Sequence, residues 1–176
     1  RHNWILSIDA DEVIDQQLVT ALHNLDYNDT QVVYDIAFRT YFGEKLVRFG
    51  SWGRDHHIRL FNRALVKWSE IPVHETLLLP VNITRKRLDG YIDHYSVKDE
   101  EECRQKAEYY AALSAKKHHL AGKKASFIKL HFASWFNFFR NYFLYMGFLE
   151  GRAGWVIAKN SARHTRMKYR LLNRLL

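Results

Sequence analysis

Cysteine is all but missing from this 176-residue chain. The single thiol, Cys103, cannot close an internal disulfide, so a reducing compartment is expected and a metal site built from several cysteines is excluded. Long apolar runs are missing too. The richest stretch, residues 127–149, carries Lys129, Asn137, Arg140 and Asn141 among its aromatics. A bilayer span needs about 20 apolar residues, and Arg140 near the middle of one would cost a few kcal/mol. Acid is missing from the end: beyond Glu150 there is none, while Arg152, Lys159, Arg163, Arg166, Lys168, Arg170 and Arg174 follow one another. There is no internal repeat and no low-complexity segment.

What is present divides into two halves of opposite charge. Residues 1–108 hold 18 acids against 14 Lys+Arg, whereas residues 109–176 hold one acid against 13. Such a basic end seeks an anionic surface, either lipid head groups or nucleic acid. The overall length and 47% hydrophobic content are enough for one substantial core, and a single domain is expected.

The most informative short stretch is WILSIDADEVI, residues 4–14. Trp4, Ile5, Leu6 and Ile8 are the β-branched and aromatic residues of a strand buried on both faces. Val13/Ile14, Leu18, Leu22 and Leu25 then recur at helical spacing. The acids Asp9, Asp11 and Glu12 are therefore expected in a turn between a strand and an amphipathic helix, at the carboxyl end of the strand, where open α/β sheets bind ligands. Two readings of them stand. Asp9-x-x-Glu12 fits a capping box at a helix start. Asp9 and Asp11, one residue apart, also repel each other unless a cation or a phosphate-bound metal sits between them.

Further along, residues 31–42 alternate as a half-buried strand, with Val32, Tyr34, Ile36 and Phe38 on one side and Asp35 and Arg39 on the other, ended by a turn at Gly43. Short strands are expected at residues 46–49, 57–61, 65–68 and 90–94. From Ser96 the pattern becomes helical: Ser96-x-x-Asp99 starts a helix, acids crowd its first turn, and residues 116–119 crowd its last turn before Gly122. Residues 127–149 are expected to form an aromatic helix. It either lies in a membrane interface or packs on the domain core, and the adjacent basic tail favours the interface.

WILSIDADE, IRLFNR (58–63), IPVHETL (71–77), DHYS (93–96), KAEYYAALSAK and FFRNYFLYMGFLEGRAG (138–154) occur here in that order, and together they resemble the family 2 glycosyltransferases of the lipopolysaccharide-core type. The resemblance spans nearly the whole chain. It implies an α/β fold, the C-terminal part of a GT-A (Rossmann-like) domain over residues 1–95, followed by C-terminal amphipathic helices over residues 96–176. The strands that hold the nucleotide in that family have no counterpart here, so the chain is expected to begin inside a larger domain and to be inactive alone.

The resemblance further implies an inverting transfer of a sugar, such as a UDP-hexose, to a lipopolysaccharide-core or other glycan acceptor. Asp9 and Asp11 match the family's Asp-x-Asp turn, which holds a divalent cation, Mg²⁺ or Mn²⁺, on the donor diphosphate; His94 is a further candidate ligand, and it would favour Mn²⁺. Glu75 matches the family's catalytic acid and is the expected base, with His74 its neighbour and rival. Trp52 is expected to line the sugar site and Arg59 to face the diphosphate. Arg140, Arg163, Arg166, Lys168 and Arg170 are expected to meet an anionic membrane surface, peripheral on the inner face of the cytoplasmic membrane, with no nucleic-acid partner. The alternative is a basic membrane- or nucleic-acid-binding module without catalysis.

Overall fold

The computed structural model describes residues 2–69 and 77–175, with Arg54 and residues 127–131 described by backbone alone. The chain is mixed α/β and forms two compact units: Arg1–Thr40 with Arg54–Tyr95, and Tyr41–Gly53 with Ser96–Leu176.

The first unit is organised by a sheet. The strands of this sheet are β1 (Trp4–Leu6), β2 (Glu12–Ile14), β3 (Val32–Phe42), β4 (Lys45–Val47), β5 (His56–Asn62) and β8 (Thr84–Val97), in the order β1-β5-β3-β8-β2 with β4 also on β3; β4 and the last two residues of β3 and of β8 belong to the second unit. The β1–β5, β5–β3 and β8–β2 pairs are antiparallel. Thr84 N donates to Gln31 O at one end of β3 and Gly43 N to Val97 O at the other, so β3 and β8 run parallel and the sheet is mixed. Two short strands, β6 (Lys67–Trp68) and β7 (Leu77–Leu78), pair separately.

β3 is the centre of the sheet, and its first five residues are buried on both faces, not on one. Val32, Tyr34, Ile36 and Phe38 pack with Leu18, Leu60, Leu88 and Ile92 on one face; Val33 packs with Phe61 and Val66 on the other. Burying each such side chain contributes roughly 1.5–3 kcal/mol. β1, expected to be buried on both faces, is instead a three-residue edge strand, only partly covered.

The helix expected after the acids starts later than the apolar spacing suggested. Val13 and Ile14 belong to β2, and α1 (Gln16–His23) is capped by Asp15, whose carboxylate accepts from Leu18 N at 2.8 Å. α1 lies close on β8 because Gly90 has no side chain. A Cβ there would stand 2.3 Å from Leu18 N, and its φ of +101° is costly for any other residue.

The second unit is helical: α2 (Glu100–Leu120), α3 (Phe127–Phe139) and α4 (Arg152–Arg174), with α4 packed on both others. Asp99 caps α2 by accepting from Glu102 N, and the Glu102 carboxylate accepts from Lys98 N, both at 2.8 Å. α2 buries the small residues Cys103, Ala111 and Ala115, and α4 buries Ala153, Gly154 and Ala158; Cys103 packs with Val156, while Gly154 lets α4 close on the stretch Gly147–Glu150, since a Cβ on Gly154 would stand 1.8 Å from Gly147 O. Residues 127–149 are not one helix. α3 passes into a π-helical turn at Arg140–Leu144 and a 3₁₀ turn at Gly147–Glu150. Among the described residues no helix is long and apolar enough to cross a membrane.

Candidate functional site

The Asp9–Glu12 segment is a tight turn joining two strands, and its acids do not cap a helix. Glu12 N donates to Asp9 O at 3.1 Å, and Asp9 N donates to the Glu12 carboxylate at 3.0 Å, so the turn is closed from both sides. β2 then pairs with β8 in the register Glu12↔His94, and Tyr95 N donates to Asp11 O at 3.0 Å. This register carries His94 to the turn: its Nε2 lies 3.4 Å from Asp11 Oδ2.

Arg59 reaches the same turn from β5. Its guanidinium pairs with Asp9 at 3.0 Å and with Glu12, whose side chain is 1% exposed. Burial pushes the Glu12 carboxyl above the ordinary range, outweighing the Asp9 amide and the Arg59 charge that pull it down. Arg59 also keeps a buried Nε–H with no partner among the described residues, and its guanidinium sits 5.2 Å above the Phe38 ring. Phe38 is the hub of the site, with His57 at 5.3 Å and His94 at 6.1 Å from its ring centre. His57 in turn bonds Asp55 at 2.9 Å. That bond holds the Asp55 carboxyl below, and the His57 imidazole above, their ordinary values.

Among the described residues, three carboxylates and one guanidinium meet at this turn. Asp11 and His94 present an oxygen and a nitrogen 3.4 Å apart, both partly exposed. Adjacent ligands of an octahedral ion with bonds of about 2.1 Å stand about 3 Å apart, so the pair suits two positions on one divalent ion. Among the described residues no group of three or more His, Cys, Asp or Glu is placed to hold an ion unaided. An ion bound here takes its other positions from phosphate and water, a common arrangement for Mg²⁺.

Beside Arg59 the sheet opens into a groove of about 390 Å³ lined by His56, His57, Arg59, Trp68, Leu77, Leu79 and Arg85. Buried Asp35 fixes two of these side chains, bonding His56 and Arg85 at 2.8 Å each. Trp68 is the half-exposed tryptophan here. Trp52 belongs to the second unit, where it lies against Phe42 and lines a cavity of about 240 Å³ with Cys103 and Asn160. Glu75 and His74 lie outside the described residues; in the sequence Glu75 stands two positions before Leu77.

Asp55, His57, Phe38 and Trp68 were not read as site residues from the sequence. The RDHHIRLF stretch did carry a signal for two of them, an acid and a histidine two residues apart at a strand start.

The second unit holds the basic residues in unequal settings. Arg163 pairs with Glu108 at 3.1 Å, and Arg166 and Arg170 are exposed. Lys168 is half-buried over the Tyr169 ring, and burial with Lys123 nearby lowers its ammonium pKa. Arg140 is half-buried, with its Nε unpartnered among the described residues and its guanidinium 5.6 Å above Tyr145.

α3 is inverted with respect to a water-facing helix. Its amides point inward: Asn137 donates to Thr165 Oγ1 at 2.7 Å and to Ser161 O, and Asn141, 2% exposed, donates to Asn137. Aromatics point outward: Phe132, Trp135 and Phe136 of α3, Phe143 and Phe148 of the turns after it and Trp155 of α4 are all exposed. Successive ring contacts at 5.2–6.4 Å link all of these but Phe136 through Phe139, Tyr142 and Phe138.

No protein-family model matches this chain, and no solved structure matches it.

Proposed function

We propose that this chain carries the metal-binding and acceptor-side part of an inverting glycosyltransferase of the family 2, GT-A type, moving a sugar from a nucleotide-sugar donor such as a UDP-hexose to a lipopolysaccharide-core or other glycan acceptor. The observation that carries the reading is the Asp11–His94 pair, set by the β2–β8 register beside Asp9 and Arg59.

In this reading Asp11 and His94 hold Mg²⁺ or Mn²⁺, which neutralises the leaving diphosphate when bound. The Arg59 guanidinium faces the donor diphosphate from beside Asp9, and its hold on Asp9 and Glu12 keeps the turn in place while the donor enters. Glu12 is structural: its carboxylate is spent on Asp9 N and Arg59. Trp68, half-exposed in the groove beside Arg59, takes the sugar-stacking role first given to Trp52, because an aromatic face suits the apolar face of a sugar. Glu75, close to Leu77 in sequence, removes the acceptor hydroxyl's proton as that oxygen attacks the anomeric carbon. The exposed aromatics of the second unit support placement at a membrane interface, where the acceptor's lipid would lie.

The test is incubation of the complete protein with a panel of nucleotide sugars, with and without Mn²⁺. Metal-dependent hydrolysis or transfer of one donor supports the reading. No turnover of any donor, together with retained membrane binding, would favour the module without catalysis.

A further inference from the structure

A groove of about 490 Å³ in the second unit has a composition unlike the rest of the surface. α4 supplies Lys159, Arg163, Arg166, Arg170 and Arg174, α2 supplies Glu108, and α3 supplies Ser134, over a floor that includes Ala162, Met167 and Leu171. The five cations fall at spacings of four, three, four and four, so they form one stripe along α4. The stripe is about 22 Å long at 1.5 Å per residue. Against it stands one acid, Glu108, which Arg104 already engages at 2.8 Å. Like charges held along one face repel, and among the described residues only Arg163 of the five has an ion pair, with Glu108 at 3.1 Å; Lys159, Arg166, Arg170 and Arg174 are exposed, while the packing of α4 rests on its opposite, small and apolar side.

We propose that this groove is a docking site for the phosphate head group of a membrane lipid, and that it prefers a terminal phosphate monoester to a phosphate capped as a diester. Charge complementarity selects an anion, and a row of guanidinium forks suits phosphate oxygens held two at a time. A terminal phosphate offers three oxygens and up to two charges, more than a diester can. The same helical unit carries the exposed aromatic rings of α3 and the turns after it, the partner that lipid provides and water does not. The floor of Met167 and Leu171 gives the glycerol end of a lipid an apolar wall. Lys168 and Arg140 do not line the groove and are not part of the site. The proposal is independent of the transfer chemistry, since none of its residues belongs to the unit that holds Asp11 and His94.

The experiment is co-sedimentation with vesicles of phosphatidylcholine alone, with phosphatidic acid, or with phosphatidylglycerol, the last two matched for surface charge. The chain is expected to prefer phosphatidic acid. Each cation close to a lipid surface is worth about 5-fold in binding, so Arg166→Gln/Arg170→Gln/Arg174→Gln should weaken it by roughly 100-fold. Arg87→Gln, at an exposed cation on β8 of the first unit, should leave binding to phosphatidic acid unchanged. The circular dichroism spectrum shows whether the triple variant is folded, and if it is not, Arg170→Gln alone should still lose about 5-fold. Equal binding to the two charge-matched vesicles would overturn the groove as a site, and so would equal losses from Arg87→Gln and Arg170→Gln. Tighter binding to a single-stranded oligonucleotide than to phosphatidic acid vesicles would replace lipid by nucleic acid as the partner.

Discussion

Replacing Arg59 by Met separates the structural part of the acidic turn from the part assigned to the metal. Arg59 and Glu12 form a nearly buried pair, with side chains 13% and 1% exposed. Met keeps much of the stem's volume and its contact with Phe38 but removes the charge. Breaking a buried pair by removing one partner costs about 3–5 kcal/mol, because the other charge is left uncompensated. Glu12 has one way out, which is to take up a proton. Burial already holds its carboxyl above the ordinary range with Arg59 present, and losing the guanidinium moves it further up. A carboxyl whose pKa is raised by folding contributes most below its unfolded value and loses that contribution as pH rises through its folded value. Each pH unit between the unfolded and the folded value costs about 1.4 kcal/mol, and above the folded value the loss is complete. The Arg59→Met loss should therefore be largest at neutral to mildly alkaline pH and shrink towards pH 5. For a unit of this size the loss at neutral pH corresponds to a fall in Tm of more than about 10 °C. Adding Glu12→Gln to Arg59→Met should restore much of it, since no buried charge then remains. Thermal unfolding followed by circular dichroism at several pH values measures all of this. A Tm within about 2 °C of the parent would refute the buried-pair argument. A loss that did not depend on pH would refute the part given to Glu12.

Glu75→Gln in the complete protein should lower turnover by roughly 10²–10⁴-fold while leaving Mn²⁺-dependent donor binding nearly intact; a variant with near-parental turnover would pass the role of base to His74 or another acid. Glu150 gives the opposite pH dependence to Glu12. Burial raises its carboxyl, but the Lys45 ammonium at 2.9 Å and the amides of Arg48 and Phe49 at 2.7 and 3.0 Å outweigh it and hold the pKa down. Its contribution is present above the unfolded carboxylate value and is lost as pH falls through the folded one. Glu150→Gln should accordingly cost about 1–3 kcal/mol near neutral pH and flatten the acid limb of the Tm–pH curve; an unchanged acid limb would contradict the assignment.

Local signals were legible in the sequence where one periodicity and one cap agreed. The alternation of residues 31–42 marked β3, and the Ser96-x-x-Asp99 pattern with its acids marked the start of α2 three residues early, since Ser96 lies in β8 and Asp99 is the cap. What escaped depends on long-range pairing. Val13 and Ile14 fit a helical spacing with Leu18, yet they pair with β8, and the helix waits for the Asp15 cap. β3 looked half-buried because Asp35 breaks its second face, but His56 and Arg85 neutralise that acid inside the sheet. The aromatic stretch was legible as unusual. Its break into α3 and two irregular turns was not, and neither was the inward aim of Asn137 and Asn141. In the site, Asp9, Asp11, Arg59 and His94 were named from the sequence and lie together around one turn. Phe38 joins Arg59, His57 and His94 only through the strand order, which no spacing along the chain could give.

The central claim is that Asp11 and His94 hold a divalent ion on a donor diphosphate. Titration of the complete protein with Mn²⁺, following loss of the free-ion electron paramagnetic resonance signal with and without UDP, tests it most directly. The account predicts that UDP tightens Mn²⁺ binding in the parent protein and that Asp11→Asn abolishes this tightening. Since Asp15, not Asp11, caps α1, this variant should keep the parent's fold, checked by its circular dichroism spectrum. Asp11→Asn that binds Mn²⁺ as tightly as the parent, with UDP enhancing it equally, would contradict the account.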